Sequence, residues 1–226
     1  MPSTLALSTE STLQRIHAVL GKIDVLRMPR SLRPRVETIL VRRAATIMDS
    51  ALPWQRGHGR RTADLARRIG SCAELSPESL HHLTLAALLH DIGLLALPPS
   101  LVAHSGCLDD QSYAVRQSHP RLGAECLESY RFFRNAAIII AHHHERWDGS
   151  GYPYGIRGAF IPIEARVLAI ADALDAAPIP GAVDQDARDR AAYRILSVGA
   201  GTQFDPQLVE MCGRCLQRPN PIFSFN

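Results

Sequence analysis

The chain has 226 residues, 46% hydrophobic and 21% charged, with a formal charge of +3. These are values of an ordinary globular protein, and the small charge excludes a basic surface built for DNA or RNA polymers. No apolar run reaches the ~20 residues of a membrane span; the longest candidate, 83–103, is interrupted by His90, Asp91, Gly93, Pro98 and Pro99. Residues 1–10 read as a loose terminus. From Ser11 to about Ala51 the apolar spacing is helical, with a break at Pro29 and Pro34. This 1–50 extension is too short for a sensory domain of usual size and is expected either to pack on the main domain or to form a dimerising arm.

The main domain, 51–226, opens with a helix over His58–Ile69. Ser76-Pro77-Glu78 is a helix start with proline at the first helical position. That helix is expected to run to about Ile92, with Gly93 as terminator. Residues 94–110 read as loop, and Asp109 or Asp110 caps a helix reaching about His119. Further helices are expected over 121–130, 134–146, 163–177 and 184–198, and Pro206 opens a last one. The stretch 147–162 is punctuated by glycines and prolines and reads as loop. No period-2 pattern emerges, so the fold class is all-α. The five cysteines, Cys72, Cys107, Cys126, Cys212 and Cys215, are odd in number and no signal peptide precedes them. That favours a reducing, cytoplasmic setting. Cys212-Gly-Arg-Cys215 reads as two cysteines on a helix rather than as a redox or zinc pair.

His90-Asp91 closes the apolar run Leu88-Leu89-His90-Asp91-Ile92-Gly93. A buried carboxylate needs a cation or a full set of donors. A metal ion meets that need, and the adjacent imidazole is a second ligand. A carboxylate has two oxygens and can bridge two cations, whereas an imidazole serves one, so Asp91 reads as a bridge and the histidines as terminal ligands. His58, His119, His143, His144 and Asp172 are the further candidates. Asp172 lies inside an otherwise apolar helix. Which two of His142, His143 and His144 ligate is not fixed by periodicity. His17, His81, His82 and His104 have no strong claim. Imidazole-rich nitrogen–oxygen sites suit iron, manganese, zinc or nickel, and a pair of such ions suits attack of water on a phosphodiester.

The pattern His58, then His90-Asp91-Ile-Gly, His119-Pro120-x-x-Gly123, His143-His144-Glu145-Arg-Trp-Asp148-Gly-Ser-Gly151-Tyr152-Pro153 and Ala-Ile-Ala-Asp172-Ala-Leu-Asp175 resembles the HD-GYP branch of the HD-domain metal phosphohydrolases over roughly residues 50–215. The resemblance implies a helical HD bundle, here with additional N- and C-terminal helices, and a di- or trinuclear centre, often iron or manganese. It implies hydrolysis of the bacterial second messenger cyclic di-GMP to the linear dinucleotide, in some members on to GMP. Carried over by position, the metal ligands are His58, His90, Asp91, His119, His143, His144 and Asp172, with His90 and Asp91 at the catalytic heart and His142 a bystander. Gly151, Tyr152 and Pro153 would line the pocket. A second copy of the chain or a signalling protein is the expected macromolecular partner.

The chain departs from the family in its phosphate-binding residues. Leu94 stands where the family usually has lysine, His104 where a second lysine is usual, and Ala177-Pro-Ile-Pro-Gly181 where an Arg-Pro-Tyr segment is usual. A lost charged hydrogen bond costs roughly 1.5–3 kcal/mol, about one to two decades in rate or affinity. Trinuclear members carry a glutamate where this chain has Trp54, so two metal ions are expected. Arg146 and Arg166 are candidates to contact the substrate; for Arg166 a structural ion pair with Glu164 or Asp175 is the competing expectation. An active cyclic-dinucleotide phosphodiesterase is therefore weighed against a catalytically weak binding or regulatory module, and against a phosphohydrolase for another nucleotide.

Overall fold

The computed structural model describes residues 9–102, 109–177 and 185–216; His104, Cys107 and most of the 177–181 segment lie outside them. The described chain forms α1 (Thr9–Val25), α2 (Arg33–Ala51), α3 (His58–Cys72), α4 (Pro77–Leu89), α5 (Pro99–Val102), α6 (Asp110–Arg116), α7 (His119–Leu127), α8 (Arg134–Ala141), α9 (Ile163–Ala176), α10 (Gln185–Gly199) and α11 (Pro206–Leu216). Short 3-10 turns lie at Pro53–Gln55, Ile92–Ala96, Arg131–Phe133 and Gly158–Phe160. Among the described residues the only β feature is a bridge between Ala200 and Phe204. The all-α expectation holds, and no described helix is long and apolar enough to cross a membrane.

α4 is the axle of the bundle. Leu83, Leu85, Ala86, Ala87, Leu88 and Leu89 are all fully buried, because α2, α3, α8 and α9 pack around it. Its start is as the sequence indicates: Ser76 caps it by accepting from the Ser79 amide at 3.1 Å, with Pro77 following. The extension is not a detached arm. Ile16, Leu20, Ile23, Val41, Ala44 and Met48 bury into the same core as α4 and α9. Cys126 and Cys212 are free thiols, whereas Cys72 is disulfide-bonded, which the odd cysteine count did not foretell.

The helix ends depart from the sequence expectations, and each departure frees a ligand. α4 stops at Leu89, three residues before Ile92. His90 is its cap, and Asp91 leaves the helix with φ −93° and ψ 8°. α8 stops at Ala141 rather than continuing to 146. There the histidine rings supply donors to the last turn, His142 to the Ile138 carbonyl at 2.8 Å and His143 to Ile140 at 2.6 Å. The helix expected to reach His119 ends at Arg116, and His119 instead opens α7.

Two glycines set the approach of the elements that carry the site. A Cβ on Gly59 would lie 2.7 Å from the Leu88 carbonyl, so α3 rests directly on the backbone at the end of α4. A Cβ on Gly93 would lie 2.0 Å from the His119 carbonyl and 2.6 Å from the Gly123 amide. The turn after Asp91 therefore packs backbone to backbone on α7. Gly93→Ala must push these apart. Overpacking of this kind costs about 1–3 kcal/mol, a fall in Tm of roughly 2–12 °C for a chain of this size. Thermal unfolding followed by circular dichroism checks it.

Candidate metal centre

α3 delivers His58, the turn after α4 delivers His90 and Asp91, α7 begins with His119, the end of α8 carries His143 and His144, and α9 carries Asp172. These seven side chains converge. Potential ligand atoms of His58, His90 and Asp91 all lie within 4.8 Å of one another, and so do those of Asp91, His119, His143 and His144. Asp91 belongs to both groups. Its Oδ2 faces His90 Nε2 at 3.3 Å and His58 Nε2 at 3.9 Å, while its Oδ1 faces His119 Nε2 at 3.3 Å. Asp172 Oδ1 lies 3.0 Å from His58 Nε2 and 3.6 Å from His90 Nε2, which adds a carboxylate to the first group.

The imidazoles are oriented from behind. Nδ1 of His90 meets the Ala87 carbonyl at 2.9 Å, Nδ1 of His119 the Arg116 carbonyl at 2.8 Å, and Nδ1 of His143 the Ile140 carbonyl at 2.6 Å. A carbonyl can only accept, so each Nδ1 carries a proton and each Nε2 is the atom turned to the centre. Nε2 of His119 and of His143 are buried without a hydrogen-bond partner. Buried polar atoms are rarely left so, and two convergent lone pairs beside a carboxylate fit a divalent cation.

The electrostatics separate the two groups: against its burial, Asp91 and Asp172 raise His90 well above the ordinary histidine pKa. Burial and neighbouring imidazoles hold His143 well below the ordinary histidine pKa, and burial with His119 lowers His144 to about 4, so both are neutral donors. Burial opposes charge on Asp91, but His90 and His119 outweigh it and hold the carboxyl well below its usual range. Burial likewise disfavours a proton on His58, yet Asp172 and Asp175 raise its pKa to about 9. His58 Nδ1 lies 2.6 Å from Asp175, which is in turn clamped by Arg61 at 2.7 and 2.9 Å.

A cavity of about 650 Å³ opens over this cluster, lined among others by Trp54, Asp91, Leu94, Arg116, His119 and Tyr152. A second, of about 300 Å³, adjoins it and is lined in part by His143, His144, Arg146, Tyr152 and Asp172. Leu94, at the position of the usual family lysine, is a buried apolar part of the wall. Gly151 lets the loop fold onto the segment that follows the ligands: a Cβ there would lie 2.3 Å from the Arg146 amide. The Tyr152 amide donates to the His144 carbonyl at 3.2 Å, a cis Tyr152–Pro153 bond follows, and the Tyr154 amide donates to Glu145 Oε1 at 2.7 Å.

Arg166 is not brought to either cavity. It pairs with buried Asp205 at 2.6 Å, donates to the Ile161 carbonyl at 2.9 Å and covers the Trp147 ring. The expected ion pair is real, but its partner is neither Glu164 nor Asp175. Arg146 reaches the smaller cavity while held by Ser150 at 2.8 Å and Asp148 at 3.5 Å. His142 turns away toward Ile138 and the Tyr154 ring. Three contributors escaped the sequence reading. Gln55 donates its amide to Asp91 Oδ2, and nothing in Pro53-Trp54-Gln55 signals it. Asp175 orients His58; its position one turn after Asp172 on the same helix face was the available clue. Arg116 lines the large cavity and makes no ion pair with a carboxylate among the described residues.

The HD domain model matches residues 43–208. The chain belongs to the HD domain family. Its HD-GYP character is borne out by relatives named as cyclic-dinucleotide phosphodiesterases. The chain is 38% identical over 156 residues to the cyclic di-GMP phosphodiesterase response regulator RpfG of Xanthomonas campestris pv. campestris, covering 66% of this chain and 40% of that protein. It is 36% identical over 156 residues to the 3'3'-cGAMP-specific phosphodiesterase 2 of Vibrio cholerae, covering 68% and 30%. A cyclic di-GMP phosphodiesterase of Thermotoga maritima is 30% identical over 155 residues, covering 68% and 42%. The matches thus span less than half the length of these curated relatives.

Arg166→Ala would strand a buried carboxylate. Breaking such a pair costs about 3–5 kcal/mol. The variant should unfold at clearly lower temperature with its metal content per folded chain unchanged, which melting and elemental analysis of one sample measure.

Proposed function

We propose that the chain is a metal-dependent phosphodiesterase that opens cyclic di-GMP to the linear dinucleotide, using two divalent ions, iron or manganese. One observation carries the reading: Asp91 turns one oxygen to each of two imidazole clusters at the floor of a cavity. His58, His90 and Asp172 would hold one ion and His119, His143 and His144 the other, with Asp91 between. Such a pair activates water and neutralises a phosphodiester. Trp54 offers no ligand to a third ion.

The chain's own residues set the rest. Gln55 restrains Asp91, and Asp175 with Arg61 fixes the His58 ring. Burial pushes the Tyr152 hydroxyl above its ordinary pKa, so it faces the substrate as a neutral donor at neutral pH. Gly151 and Pro153 shape the loop that presents it. Arg61 is already neutralised by Asp175. Arg116 is therefore the cavity's available cation for a phosphate, in the absence of the usual lysine at Leu94. The weaker reading, a binding module with little turnover, draws on that same apolar Leu94.

Purified under low oxygen and loaded with manganese or iron, the protein should convert cyclic di-GMP to its linear form by chromatography. Two bound ions with no linear product would leave the binding module. Asp91→Ala should lose both metal and turnover, whereas full activity in that variant contradicts the site. Arg116→Ala should keep its metals and lose about one to two decades in kcat/KM, the value of a charged hydrogen bond.

Metal loading should also release protons. An ion on His58 Nε2 must displace the proton that Asp172 and Asp175 favour, so at pH 7 binding expels it and affinity climbs with pH until about 9. Titration calorimetry in buffers of different ionisation enthalpy counts the protons. A count of zero at pH 7 contradicts the placement of His58.

A further inference from the structure

We propose that Trp54 is the platform on which a purine base of the substrate stacks. This rests on the reading that the cavity takes a cyclic dinucleotide. Such a ligand brings two charged phosphates, which the metal cluster and Arg116 can meet, and two flat bases, which gain most from an aromatic face. An aromatic face outside the metal floor of the large cavity would serve them.

Trp54 meets that requirement. It lines the cavity and remains 45% exposed, so the core makes little use of its indole. The turn that carries it is fixed: the Gln55 amide donates to the Leu52 carbonyl at 2.9 Å, the Arg56 amide to Pro53 at 3.3 Å, and Leu52 is fully buried. The next residue, Gln55, holds the Asp91 carboxylate. Trp54, Gln55 and Asp91 line the same cavity. The second tryptophan, Trp147, is differently employed, its ring covered by the Arg166 guanidinium at 5.7 Å. A base on aromatic stacking of this kind is tolerant of which purine is present. Trp54 would therefore add affinity for guanine and adenine nucleotides alike.

Because the chain has two tryptophans, emission reports on the proposal directly. The manganese-loaded protein is titrated with GMP and, separately, with ribose 5-phosphate, and KM for cyclic di-GMP is measured. GMP should quench emission saturably, and Trp54→Phe, which leaves Trp147, should abolish the change. Trp54→Ala should weaken GMP binding and raise KM about ten- to a hundredfold, with metal content and ribose 5-phosphate affinity unchanged and Trp54→Phe intermediate in KM. If cyclic di-GMP is hydrolysed but GMP leaves emission and Trp54→Ala leaves KM unaltered, stacking is overturned and the phosphodiesterase stands. If GMP quenches through Trp54 but nothing is hydrolysed, stacking stands and catalysis fails. If the loaded protein neither binds nor hydrolyses either nucleotide, both are overturned.

Discussion

The burial of the Asp91 carboxylate is the constraint on which the rest depends. A carboxylate only 6% exposed is tolerated where cations or donors surround it, since an isolated buried charge costs several kcal/mol by rough estimate. Every neighbouring feature answers that need. Gln55 donates from one side, imidazole nitrogens converge on both oxygens, and three imidazoles are turned by main-chain carbonyls so that their Nε2 atoms point inward. Without cations Nε2 of His119 and of His143 stay buried and unpaired. With them both nitrogens gain one.

Apart from Asp172, which α9 presents from its face, the architecture serves this arrangement through helix ends. A ligand within a helix is held to that helix's spacing. A ligand just past an end can turn toward the others, as His90, Asp91, His143 and His144 do. Close backbone approach then closes the distances: Gly59 seats α3 on the end of α4, Gly93 seats the Asp91 turn on α7, and Gly151 seats the tyrosine loop on the His144 carbonyl. The apolar α4 anchors all of it in one core that the N-terminal helices complete.

Much of this was legible in the sequence because buried polar residues stand out in apolar runs. His90-Asp91 after five apolar residues and Asp172 within Ala-Ile-Ala-Asp172-Ala-Leu are such cases, and the all-α pattern followed from helical spacing and the absence of strand alternation. Tertiary geometry hid the remainder. The stops at Leu89 and Ala141 depend on what Gly93 touches and on rings that occupy terminal carbonyls. Gln55 meets Asp91 across 36 positions, Arg166 meets Asp205 across 39, and no local pattern encodes either. Arg116 illustrates the same limit: its charge was visible, but its place in the cavity comes from the break between α6 and α7.

The central claim is that Asp91 joins two ions into one centre. Electron paramagnetic resonance of the manganese-loaded protein tests it most directly. A carboxylate-bridged pair predicts two ions per chain and the multiline spectrum of exchange-coupled manganese, lost in Asp91→Ala. A spectrum of isolated manganese at one ion per chain, unaltered by that substitution, would contradict the account.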